Sequence, residues 1–358
     1  MLHKGLTAAV AAIGMWLVAE SGASAQSVAP ISVDSAIGIS RFFGEYAEER
    51  PDIVVDITAT MRLGKGWVAY VRPWFRKASG DPYDLAKEIY QAALQYQRTG
   101  PVSTRVDVGY ILSPIGLGML DARPDTNPII TPHLSYFVPM PSFDAGVPSA
   151  YPVASSYPLG GQFTASTTRW DARAAVVMSP PNRKFVLYAA KPNPRSRPTA
   201  IVGGGITPRT GLRVGLAYAR GEYAMASELT GPPSGGRGLN MIALEGEYSF
   251  AYTKITGEMT RDSLETASGH AVATEWFLQG VQSLTPRWFI AGRHEGANAP
   301  PRTPGGNRPT LRVSEVAVGR RLSQELTLRS AFSSQKTYYS PTPSYEVGVS
   351  LVWARRWL

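Results

Sequence analysis

Residues Ser344 to Leu358 restrict the possible folds more than any other stretch of this 358-residue chain. Tyr345, Val347, Val349, Leu351, Trp353 and Trp357 share one parity, and Glu346, Gly348, Ser350, Ala354 and Arg356 share the other. A β-strand sends successive side chains to opposite faces, so this strand has an aromatic, apolar face and a small or polar one. A strand in last place leaves an unpaired edge unless something covers it. The first strand is the natural partner on that side, and pairing the two closes a barrel. A core strand of a soluble sandwich alternates in the same way. The barrel reading therefore needs the pattern to recur along the chain.

It does recur. After a polar lead, Gln26 to Asp34, the first strand is expected over Ser35 to Tyr46. Ile53, Val55, Ile57, Ala59, Met61 and Leu63 alternate with Asp56, Thr58, Thr60 and Arg62, and Gly64-Lys65-Gly66 makes a tight turn. Trp67, Val71, Pro73 and Phe75 then oppose Arg72 and Arg76. Composition over 84–97 tolerates a helix, but Tyr90, Ala92, Leu94 and Tyr96 alternate with Gln91, Ala93 and Gln95, so a strand is expected from Glu88. Val106, Val108 and Tyr110 oppose Arg105 and Asp107. Hairpins follow across Thr168, Pro208, Ala251, Pro286 and Ser323, with 185–190 able to add a short strand. The total is sixteen strands joined alternately by seven short turns and eight longer loops. That is the layout of an all-β, transmembrane antiparallel barrel, with short turns at one rim and long loops at the other. A barrel of this size encloses an aqueous lumen rather than a filled core.

One connection is far longer than the rest. Ser113 to Pro158 is rich in proline, among them Pro114, Pro124, Pro128, Pro132, Pro139 and Pro141. It also carries Ile115, Leu117, Tyr136, Phe137 and Phe143, enough apolar mass to pack against a wall. Long irregular segments of this kind are usually functional. This one, after the fifth strand, is expected to fold into the barrel.

Composition agrees. Mean hydropathy is −0.12 with 18% charged residues, a middle value that fits a wall alternating between lipid and water. Leu6 to Ala19 follows His3 and Lys4 and precedes Ala23-Ser24-Ala25, the pattern of a secretory signal peptide over 1–25. The barrel is then expected over 26–358. There is no cysteine, hence no disulfide framework and no lipid-anchoring thiol. The formal charge is +9, and Lys4 and Glu20 cancel, so removing the leader does not change it. Such an excess attracts anionic solutes or lipid phosphates. The Lys and Arg residues are scattered rather than clustered, so a nucleic-acid partner is not expected.

The leader, the cysteine-free alternating pattern, the long loop after the fifth strand and the aromatic last strand together resemble Gram-negative outer-membrane porins of the sixteen-stranded kind. The nearest flavour is the phosphate-selective and porin-like group. Gly109-Tyr110, Ser113 to Gly118 and Asn127-Pro128 are similar to the passage from strand into constriction loop in such proteins. The resemblance implies a bacterial outer-membrane location, a loop that narrows the lumen, and a homotrimer. One departure is that Trp357 is penultimate and Leu358 last, where the family ends on an aromatic residue.

Strand parity nominates the inward residues: Arg72, Arg76, Arg105, Asp107, Asp171, Arg173, Glu245, Glu247, Arg293, Glu295 and Arg329, with Asp56 and Glu258 beside them. The loop adds Asp121, Arg123, Asp125, His133 and Asp144. Opposed charges across a narrow lumen set up a transverse field, and rings of one sign select ions. Any one of these residues can equally serve only to solvate a wet interior. No catalytic constellation competes: His3, His133, His270 and His294 lack metal-ligand spacing, and Ser113 and Ser135 lack a Gly-x-Ser-x-Gly context. No enzyme activity, metal or cofactor is expected. The expected function is a passive channel for small hydrophilic, anion-leaning solutes. A barrel plugged by 113–158 with an envelope-structuring role stands second, and a barrel hydrolase third.

Overall fold

In the computed structural model, residues 30–44, 51–77, 85–118, 123–144, 146–187, 197–229, 235–303 and 305–357 are described. The leader expected over 1–25 lies outside them. The alternating segments are strands: β1 (Ile31–Gly44), β2 (Asp52–Gly64), β3 (Trp67–Lys77), β4 (Leu85–Arg98), β5 (Ser103–Tyr110), β6 (Leu159–Ser166), β7 (Trp170–Val177), β8 (Thr199–Arg209), β9 (Leu212–Ala224), β10 (Arg237–Phe250), β11 (Thr253–Thr266), β12 (Gly269–Ser283), β13 (Trp288–Asn298), β14 (Thr310–Arg321), β15 (Leu326–Lys336) and β16 (Ser344–Arg356). Each pairs antiparallel with its neighbours in chain order. β16 pairs with β1 from Asp34↔Arg356 to Gly44↔Glu346, so no edge is left open and the sheet is a closed barrel.

The two faces differ as the alternation requires. Val316, Ile206, Leu278 and Leu216 stand outward at 57–63% exposure, while Ala317, Ala217 and Phe277 beside them are buried inside. So broad an exposed apolar band is a surface for lipid, not for water. Among the described residues no helix is long and apolar enough to cross a membrane. The Gly64-Lys65-Gly66 turn takes φ of 88°, 48° and 85°, a run that glycine makes accessible at its two ends.

Four features depart from expectation. β1 begins at Ile31, because Ile31 to Asp34 pair with Met61 to Thr58 of β2 instead of forming a lead. β4 begins at Leu85, and no helix forms there. β11 runs on to Thr266 and β12 starts at Gly269, so one of the expected longer loops is a two-residue turn. Of the short strand expected at 185–190, Phe185 makes one parallel bridge with Ser156, and 188–190 lie outside the described residues.

The larger difference is inside. β7 to β12 turn small apolar side chains inward, including Ala175, Ala217, Ala219, Ala243 and Ala273. Ile111, Ile115 and Met140 of the long loop pack against them together with Tyr223. Alanine lets the loop approach the wall closely, so this part of the lumen is a dry core and not the water-filled space expected of the whole.

Candidate functional site: the folded-in loop and the charges around it

The loop that follows β5 is tied to five consecutive strands. Its proline-rich backbone makes few bonds with itself, and buried N–H and C=O groups need partners. Inward side chains of the wall supply them. On β11, Glu258 accepts from the Leu117 N–H and from the Tyr136 hydroxyl at 2.8 Å. On β12, Glu275 accepts from Ser135 Oγ at 3.1 Å. On β13, Glu295 accepts from the Leu134 N–H at 2.8 Å and lies 3.1 Å from His133 Nδ1. On β14, Glu315 accepts from the Ile130 N–H at 2.8 Å and from both the N–H and hydroxyl of Thr131. On β15, Arg329 donates to the carbonyls of Asn127 and of Ile129, the latter at 2.7 Å. Arg293 of β13 donates to the Pro132 carbonyl at 2.7 Å. Walking from β11 to β15 therefore follows the loop backwards from Tyr136 to Asn127, with one helical turn, Leu134–Phe137, at the Tyr136 end. Burial and the neighbouring Glu258 push the Tyr136 hydroxyl well above its ordinary pKa, so it remains a donor.

The loop also reaches β1 and β2, which follow β15 and β16 around the barrel. Arg123 donates to Thr58 Oγ1 of β2 at 3.0 Å and pairs with Asp125 at 2.9 Å. Pro124 lies against Gly38 of β1, where an added Cβ would stand 2.9 Å from Pro124 Cβ. The end of the loop is fixed by rings. Tyr157 stacks on Tyr90 at 4.3 Å, which stacks on Trp74 at 4.9 Å. Arg72 faces both tyrosine rings, at 5.6 and 5.8 Å, and makes a two-pronged pair with Asp56. Burial pushes the Tyr157 hydroxyl up to about 12.

Among the described residues, a cavity lies on each side of this crossing. The first, of about 420 Å³, lies toward the short turns and is lined by Glu247, Lys254, Arg321, Glu325 and Asp125. The second, of about 280 Å³, lies toward the long loops and is lined by Asp52, Arg76, Arg123, Glu346, Trp74 and Phe137. Pro124, Asn127 and Arg329 border both.

The residues nominated by parity take up three arrangements. Arg72 and Arg76 pair with Asp56 and Asp52, each at 2.7–2.8 Å. Arg105 pairs with Asp107 two residues along its own strand at 2.8 Å. Asp171, Arg173 and Glu245 join Arg213 of β9, which holds Asp171 at 2.7 Å and Glu245 at 3.1 Å. Glu247 is 3.9 Å from Lys254 at the short-turn cavity. Arg293, Glu295, Arg329 and His133 hold the loop, as above, with His133 packed on Phe277 at 4.4 Å. Asp144 is not near the crossing. It bonds Arg237 of β10 at 3.2 Å and the Ala267 N–H, tying the loop to the outer mouth. Asp121 lies outside the described residues. Among the described residues no group of His, Asp and Glu is arranged to hold a metal ion.

Glu275, Glu315 and Arg213 were missed, although inward parity on β12, β14 and β9 marks them equally well. Tyr90 could not be found that way. Strict alternation groups it with Leu94, which faces lipid. The β3–β4 register shifts at Arg72/Pro73, and β4 carries one extra residue there. Proline has no N–H to give the ladder, so a bulge is tolerated at Pro73, and it turns Tyr90 inward.

No protein-family model matches the chain, and no curated protein matches it. Solved structures do. OmpF of Salmonella typhi, solved in complex with daunomycin, is 8% identical, with a TM-score of 0.60 over 91% of this chain and 97% of that one. An anion-selective porin from Comamonas acidovorans is 10% identical, with a TM-score of 0.58 over 91% and 99%. OmpT of Vibrio cholerae, folded in vitro and in a trimer form, is 9% identical, with a TM-score of 0.56 over 91% and 99%. At such identities the likeness is one of fold. The chain has the sixteen-stranded barrel fold of outer-membrane porins, and nothing in the likeness singles out the phosphate-selective group.

Proposed function

We propose that the chain forms a passive, narrow aqueous channel for small hydrophilic solutes in the bacterial outer membrane. The observation that carries this reading is the pair of cavities bordered in common by Pro124, Asn127 and Arg329. A solute passes between them where the loop crosses the lumen. Selectivity is weak and anion-leaning. A phosphate-selective site would call for cations with free donors at the crossing, whereas Arg76 and Arg123 each have a carboxylate and Arg329 bonds the carbonyls of Asn127 and Ile129 and the Ser350 hydroxyl. A homotrimer forms part of the same proposal. The test is planar-bilayer recording of the refolded mature chain. Stepwise insertion of small, ohmic conductances supports a channel, and electrically silent insertion overturns it.

The plugged barrel is kept as a second reading because Arg123 and Pro124 reach β2 and β1. Deleting 123–131 then raises conductance from near zero. A native protein that already conducts removes the plug.

A further inference from the structure

Two arginines at the short-turn end face the lipid and have no carboxylate. Val316, Val318 and Arg320 share the outward parity of β14, and Arg320 stacks on Trp288 of β13 with its guanidinium carbon 5.1 Å from the ring centroid. Arg209, at the end of β8, stacks on the outward ring of Tyr248 at 5.0 Å, beside Phe250, which is 67% exposed. Neither guanidinium has an ion pair or hydrogen bond with a described residue.

We propose that these two places, Arg209 on Tyr248 and Arg320 on Trp288, are binding sites for the headgroups of anionic phospholipid. Each ring holds a cation at the level where strands give way to turns, which is the level of the headgroups. Stacking on an aromatic face costs the guanidinium none of its N–H donors, so all of them remain for phosphate oxygens. Directly below Trp288 the wall presents Ile290 and Val318, both outward. A ligand on Arg320 must therefore lay apolar chains over that surface, which a phospholipid does and a free anion does not. Arg312, on the outer face toward the long loops, shows the contrast. It lies 6.0 Å from Trp276, but its donors are spent on the carbonyls of Ala297 and Leu311 and on Asn298. Arg355 over Trp357 is a weaker third case, with Glu325 at 3.6 Å.

The test uses the full mature chain in nanodiscs of equal phosphatidylglycerol and phosphatidylcholine, with the lipid retained on release counted by native mass spectrometry. The expected result is enrichment of phosphatidylglycerol by about fivefold per site. R209Q/R320Q abolishes it. R302Q/R308Q, which removes the same charge from exposed positions in the connection between β13 and β14, leaves it unchanged. Equal retention of the two lipids by the native chain overturns the proposal, whether or not the variants fold. So does enrichment that survives in R209Q/R320Q. Inorganic phosphate displacing the retained lipid at matched concentration also overturns it, since that marks a free-anion site.

Discussion

Arg72 shows what a buried charge in this lumen requires. It is 6% exposed and Asp56 is 0% exposed, and the pair is joined at 2.7 Å inside a cage of Tyr90 and Tyr157. Removing one member of such a pair leaves the other uncompensated, at a cost of about 3–5 kcal/mol. Asp56→Asn is expected to lower the urea midpoint of the folded barrel accordingly. Asp56→Leu with Arg72→Met is expected to recover most of that loss, because no buried charge then remains. Urea titrations of the two variants in the same lipid check it, and a double variant as weak as the single one contradicts it. The position of Arg72 was legible, since parity on β3 places it inward. Its surroundings were not. Tyr90 enters the cage through a bulge that no alternation reveals, and Tyr157 arrives from a loop whose path the sequence does not encode locally.

Among elements, the loop behaves as a sixteen-strand barrel's inner partition, sewn to β11–β15 and resting, beyond β16, on β1 and β2. That it folds inward was legible in its apolar content. The stitching was only partly so. Glu258, Glu295, Arg293 and Arg329 were nominated as lumen charges, yet each bonds a loop backbone group, and only Arg293 and Glu295 also face one another, at 3.7 Å. Glu315 alone holds three groups of residues 130 and 131. Glu315→Ala leaves those donors unmatched, at about 1–3 kcal/mol for each one that stays buried. The expected outcome is a barrel of near-native thermal midpoint whose single-channel current flickers as 127–131 leaves the wall. An equally quiet channel counts against the stitching. Gly38→Val tests the contact with β1. Its Cβ meets Pro124, and the crossing has to shift away from β1. Conductance is expected to change while the amount of folded barrel, read as heat-modifiable migration in gels, does not.

For the whole molecule, the question is where the net charge of +9 resides. It is not in the cavities. The short-turn cavity sets Lys254, Arg321 and Arg329 against Asp125, Glu247 and Glu325. The long-loop cavity sets Arg76, Arg123 and Arg329 against Asp52 and Glu346. The short-turn rim is different. Arg62, Lys65, Arg98, Arg169 and Arg287 are all exposed there, and none has a carboxylate partner among the described residues. A rim of one sign raises the local concentration of counter-ions at the mouth without binding them. It acts through solvent, and so it is screened by salt, over about 10 Å at 0.1 M and about 3 Å at 1 M. Fixed charges in a narrow, poorly hydrated crossing would be screened far less. The two origins therefore separate on one axis. Reversal potentials are expected to give a chloride-to-potassium permeability ratio above one in dilute salt that falls toward one as the salt is raised, and the ratio should fall in dilute salt when Arg62, Arg98 and Arg169 are made neutral. A ratio that holds its value in concentrated salt would place the selectivity at Arg329 and the loop, and the rim would then have no part in it.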